Sequence, residues 1–273
     1  METKPIIAQW HFDPLIVVLI VSIILLYLTV LRQQTKGKSL FLIAAVLFLI
    51  IAECSPLHYL GMHFYFSAHM VSHVILLLVC GPLLVMSLPA KLPGRAQKII
   101  ESLSSFIYHH SWIAWLCGVG IMWFWHIPAV FDASFTHMQA SFSVVPVLHA
   151  GSMLIAGMLF SWPLFGPLTN YHIHAGTGIV YLFTACISCS VLGLLITFAP
   201  LGTYHHYAAM QGMSNPFNIS QQDDQQAAGL IMWVPCCFVY LSGCIYLLWR
   251  WFSESTTDTT ESFININSID KHE

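Results

Sequence analysis

The sequence predicts an all-α polytopic membrane protein with seven transmembrane helices, its N-terminus outside and its C-terminus in the cytoplasm. Three observations lead there. Of 273 residues, 57% are hydrophobic and only 8% charged, where soluble domains carry about 25% charged residues, and the mean hydropathy is +0.74. The apolar residues form long unbroken runs, unlike the short alternating strands of a membrane barrel. Lysine and arginine collect in alternate connecting segments. A net charge of −3 argues against a nucleic-acid surface.

The runs cover roughly 14–31, 40–54, 66–88, 112–128, 145–163, 176–199 and 227–249, each near the ~20 residues a spanning helix needs. The second is short, and its exit at Glu53-Cys54-Ser55-Pro56 reads as headgroup-level. Pro82, Pro163 and Pro235 fall inside or at the ends of runs, so neighbouring helices must satisfy the backbone groups they free. The segments after the first, third and seventh runs hold Arg32, Lys36, Lys38, Lys91, Arg95, Lys98 and Arg250, while the opposite side has only Lys4. Positive charge stays on the cytoplasmic side, which fixes the predicted orientation. The first run reads as an anchor rather than a cleaved signal peptide, because the positive cluster follows it. Residues 1–251 read as one membrane domain. Residues 252–273, rich in Ser, Thr and Asp, read as a disordered tail.

Fifteen histidines outnumber nine lysines and arginines. With the predicted topology, ten of them (His11, His58, His63, His69, His73, His126, His137, His149, His205 and His206) fall on or near the outer side. His109, His110, His172 and His174 fall on the inner side, and His272 lies in the tail. His69, His73, His126 and His149 come from three runs at one depth. His69 and His73 are four residues apart, hence on one helical face with Cβ atoms ~6 Å apart, so both can reach one ion. Ionisable residues inside a membrane are functional by default, although a histidine there also serves as an interhelical hydrogen-bonding group. Imidazole suits copper, zinc, iron and nickel, and outer methionines, Met210 and Met213 among them, tilt the choice toward copper. His58, His63, His205, His206, Met210 and Met213 are weaker candidates. Asp132 and Asp224 either cap helix starts or orient ligating imidazoles. Cys186 and Cys189, Cys236, Cys237 and Cys244 read as packing residues at membrane depth. Trp10, Trp123 and Trp125 read as an outer aromatic belt.

HMVSHVILLLVCGPLLVMSLP, WFWHIP with Asp132 close behind, DQQAAGLIMWVP at 224–235, Ser55-Pro56-Leu57, His149 and SWPLFGP together resemble the CtaG family, integral membrane proteins required to assemble caa-type cytochrome c oxidase. The resemblance spans about residues 14–250. It implies a seven-helix fold in the bacterial cell membrane and a role in oxidase maturation by copper supply to the haem–copper subunit. It points by position to His69, His73, His126, His149, Asp132 and Asp224. The implied partners are oxidase subunits, membrane lipid and a copper donor outside the cytoplasm, and the implied protein is not an enzyme. A bis-His haem b protein, a copper transporter and a His-box membrane metalloenzyme are the competing readings.

Overall fold

The computed structural model describes residues 5–31, 37–138, 143–209 and 216–269. Twelve α-helices follow in chain order: α1 Pro14–Leu26, α2 Ser39–Cys54, α3 Pro56–His63, α4 Phe66–Val74, α5 Gly81–Ser87, α6 Arg95–His109, α7 Ser111–His126, α8 Pro128–Met138, α9 Val145–Phe165, α10 Ala175–Phe198, α11 His205–Ala209 and α12 Gln221–Ile269. No strand occurs among the described residues.

Five helical stretches are long and apolar enough to cross a membrane: Ser39–His63, Phe66–Ser87, Val145–Phe165, Ala175–Phe198 and Gln221–Phe252. A sixth arises if α7 and the residues Pro128–Thr136, bent by 69°, count as one span. The first predicted run appears as a shorter apolar helix over Pro14–Thr29. The chain is therefore an all-helical membrane protein.

The breaks have local causes. Asp13 starts α1, its Oδ1 accepting the Leu15 and Ile16 N–H groups at 2.8 and 3.2 Å, with Pro14 at the first helical position where its missing N–H costs nothing. Between α2 and α3, Ser55 is extended. Its hydroxyl donates back to the Ile51 carbonyl at 2.6 Å and accepts the Leu57 N–H at 3.1 Å, so it serves backbone groups on both sides of the break. The bend after α7 comes from Pro128: a residue before proline is driven out of the helical region, and Ile127 has φ −64° and ψ 122°. Residues Ile75–Cys80 adopt a wider π-turn joining α4 to α5, in which the Gly81 N–H reaches back to the Leu76 carbonyl. Pro82, next in line, has no N–H to donate.

Three connections differ from the sequence expectation. The segment expected as a loop at 55–65 contains α3, the one after the fourth run contains α8, and the basic third connection folds as α6. Each begins at a proline or glycine boundary; α3 extends the second run within the Ser39–His63 stretch, and α8 forms the bent pair with α7. Trp123 and Trp125 also depart from a simple lipid-facing belt. Their indole N–H groups donate to Ser188 and Ser152 on neighbouring helices at 2.9 and 2.8 Å. Past Phe252 the backbone of α12 continues helically through the polar segment to Ile269.

Close backbone approaches hold the bundle. A Cβ on Gly81 would come within 2.5 Å of the Gly157 carbonyl carbon, so α5 and α9 cross at a glycine pair, as small residues permit in membranes. Gly193 and Gly229 do the same for α10 and α12, the most extensive helix pair in the molecule. One end of the bundle gathers the end of α2, all of α3, the start of α4, the end of α7 and the start of α9. That end carries His58, His63, His69, His73, His126 and His149.

Candidate metal centre

His69 and His73 lie one turn apart in α4, and both are buried. His149, in the first turns of α9, faces them. The ligand atoms of these three residues lie within 4.8 Å of one another, a set able to hold a metal ion. The Nε2 atoms of His73 and His149 are 2.8 Å apart, and the His69 ring centroid sits 4.4 Å from that of His73. Around them are Trp125, edge-on to His149 at 4.9 Å, and Phe131 and Phe135, which flank His69 at 5.5 and 4.9 Å. These rings pack against the imidazoles on one side of the cluster.

His126 packs against this group from the end of α7. Its Nδ1 lies 2.6 Å from the Met122 carbonyl. A carbonyl only accepts, so Nδ1 carries the proton, and in the neutral ring Nε2 is then the lone-pair nitrogen. That lone pair lies 3.3 Å from His73 Nδ1. His73 then donates from Nδ1 and turns its Nε2 lone pair toward His149 and His69. Such a relay from a backbone carbonyl through one imidazole to another orients a metal ligand. Met70 Sδ, 3.2 Å from His126 Nε2, supplies a thioether at the edge of the cluster.

Asp224 and Asp132 act on backbone. Asp224 belongs to the first turn of α12, yet it accepts the N–H groups of Phe66 and Ser67 at 2.7 and 3.1 Å, and the Ser67 hydroxyl as well. It thus caps the start of α4 from another helix, where negative charge also meets the helix dipole. The cap of α12 itself falls to Ser220 and Asp223. The adjacent Gln225 donates to the carbonyls of Ile196 and Ala199 at 3.2 and 2.7 Å, closing the end of α10. Asp132 accepts the His205 and His206 N–H groups at 3.2 and 3.1 Å and starts α11. Neither carboxylate touches the imidazoles of the triad.

The weaker candidates scatter. His205 is exposed and pairs with Asp132 at 3.1 Å. His206 stacks on Phe135 at 4.1 Å, and its burial lowers its pKa below the usual imidazole value. His63 is exposed, packed against Tyr59 at 4.7 Å. His58 lies beside Glu53. Met210 and Met213 lie outside the described residues. Tyr204 donates its hydroxyl to the His126 carbonyl at 3.2 Å. Burial first, and the Asp132 carboxylate second, push that phenol up to about 12, so it stays a donor. Tyr207 donates to the Gly61 carbonyl. Gly61 is where α3 closes on α4: a Cβ there would stand 2.9 Å from the His69 backbone nitrogen.

Glu53 has no place in the sequence-derived site, yet it is buried at the same end of the bundle. An acidic residue in an otherwise apolar run was its signal, masked because the run ends there. All eight cysteines are free. Cys186 and Cys237 bring their sulfurs to 3.2 Å across α10 and α12.

A family profile described as cytochrome c oxidase caa3 assembly factor (Caa3_CtaG) matches residues 24–254. The chain belongs to the CtaG family. The family blocks named above now have physical jobs in this chain. HMVSH carries two members of the triad, and His126 of WFWHIP contacts His73 at 3.3 Å. DQQAAG seats α12 against the starts and ends of its neighbours. No curated protein and no solved structure matches the chain.

Proposed function

We propose that this CtaG-family protein works as an assembly factor for caa3-type cytochrome c oxidase in the bacterial cell membrane, and that it holds a copper ion on His69, His73 and His149 for the haem–copper oxidase. His126 serves as the positioning residue behind His73. The observation that supports this reading is the convergence of three buried imidazoles within 4.8 Å in a chain of an oxidase-assembly family. Uncharged imidazoles bind copper well and release it to a competing ligand set, and Met70 at the edge adds a soft donor. An assembly factor needs exchangeable ligands and a docking face for its oxidase partner, and no nucleophile or general acid.

The reading includes seven spans, with Pro14–Thr29 crossing as the first and the bent α7–α8 pair as the fourth. The N-terminus lies outside and the basic connections lie in the cytoplasm. The triad then faces the extracytoplasmic side, where a copper donor protein would meet it. The 2.8 Å separation of His73 and His149 Nε2 favours a single ion over bis-His haem, whose macrocycle must fit between two axial nitrogens.

Metal analysis with an optical spectrum of the purified protein tests this. One copper per chain is expected at the triad, without a Soret band. His69→Ala/His73→Ala should lower the bound copper by one equivalent and abolish caa3 oxidase activity in cells carrying that variant. An unchanged copper count in the variant would overturn the assignment.

A further inference from the structure

A cavity of about 650 Å³ lies at the histidine end of the bundle, with His69 and His149 in its wall. Another part of the wall is formed by Glu53 and His58. Glu53 is only 4% exposed, and no lysine or arginine lines the cavity. Its cationic partner among the described residues is His58, with Nδ1 3.8 Å from Oε2, and the Asp13 carboxylate lines the same cavity. The 3.8 Å separation is too long for a hydrogen bond. A buried carboxyl stays neutral unless it is paired or coordinates a metal, and a cation bound here would hold it as the carboxylate. Two ligand atoms 3.8 Å apart are closer than twice a metal–ligand bond of about 2.0–2.2 Å, so one ion can bond to both.

The surroundings suit an ion that comes and goes. The His11 N–H donates to the Cys54 carbonyl at 3.1 Å, which pins the N-terminal segment beside Glu53 and puts His11 in the same cavity wall. Two protein donors leave coordination positions for solvent. A mixed carboxylate–imidazole pair suits a divalent first-row cation such as Cu²⁺ or Zn²⁺. An ion released here would reach His69 and His149 through the shared cavity without crossing the apolar core.

We infer that Glu53 and His58 form a second cation site, distinct from the imidazole triad, which holds a divalent transition-metal ion through one carboxylate oxygen and one imidazole nitrogen. The site stands on its own residues, so it does not depend on copper binding at the triad.

The full-length protein in detergent, stripped with chelator, is titrated with Cu²⁺ and separately with Zn²⁺. Retained metal is measured after dialysis, and helicity is checked by circular dichroism. In the His69→Ala/His73→Ala background one equivalent should remain, and its Cu²⁺ electron paramagnetic resonance spectrum should show coupling to a single imidazole nitrogen. Adding Glu53→Gln or His58→Ala should weaken that equivalent at least tenfold, while Glu53→Asp should retain it. In the otherwise unaltered chain, Glu53→Gln should remove one of two equivalents, which serves if the multiple variant does not fold. The inference is overturned if neither Glu53→Gln nor His58→Ala changes metal content or affinity, or if the folded triad variant retains no metal. Failure of the triad reading looks different: His69→Ala/His73→Ala would then leave the metal count untouched while Glu53→Gln still lowered it.

Discussion

The Nε2 atoms of His73 and His149 meet at 2.8 Å across α4 and α9, and both rings are buried. His73 sits at the centre of the cluster, within 5.0 Å by ring centroids of His69, His126 and His149. His73→Ala should therefore remove the triad's copper, lowering the metal retained per chain after dialysis by one equivalent.

His126 should separate from the triad by its behaviour. It holds the His73 tautomer through the 3.3 Å contact and is itself fixed by the Met122 carbonyl. Loss of such a support typically costs about 10–100-fold in metal affinity without changing the ligand count. His126→Phe is expected to keep the triad's copper and weaken it within that range, read by competition with a chelator of known affinity.

Asp224 should matter to metal binding through the backbone. It satisfies two N–H groups at the start of α4, one turn before His69. Removing a helix-capping side chain costs about 0.5–2 kcal/mol. Asp224→Ala is expected to lower the thermal unfolding midpoint and weaken copper binding together, whereas Asp223→Ala should lower the midpoint with copper affinity preserved.

Gly61 and Gly151 make a matched pair. A Cβ on Gly61 would stand 2.9 Å from the His69 nitrogen, while a Cβ on Gly151 has nothing within 4 Å. Gly61→Ala must push α3 away from α4 and should both destabilise the protein and weaken copper binding. Gly151→Ala should be neutral or slightly stabilising, since alanine is the better helix former by about 1 kcal/mol. Thermal unfolding of the two variants in the same detergent checks this.

Cys186 and Cys237, with sulfurs 3.2 Å apart, should form an intramolecular disulfide under a membrane-permeant oxidant. Alkylation and intact mass would show two fewer free thiols than the reduced protein, and Cys237→Ser should prevent it. Copper retention should be unaffected, because the pair lies away from the imidazoles.

The class of the protein and part of its site were legible in the sequence because both are local properties. Run length and charge give a helical membrane protein, and an i, i+4 spacing puts His69 and His73 on one face whatever surrounds them. The direction of each run then sends His126 and His149 to the same end of the bundle. What that reasoning could not reach was the rotation of each helix about its axis and the contacts across helices. Only the packing of α4, α7 and α9 separates three converging imidazoles from the one that supports them. Only the approach of α12 to α4 turns Asp224 into a cap for a helix far away in sequence. The bend at Pro128 and the fold of α3 over α4 are likewise tertiary outcomes, as is the cavity that makes buried Glu53 a chemical group rather than a residue at the end of a run. A sequence states which residues can share a depth. The packed bundle decides which atoms face one another, because hydrogen-bond and metal-ligand distances depend on helix rotations and approaches that no local pattern encodes.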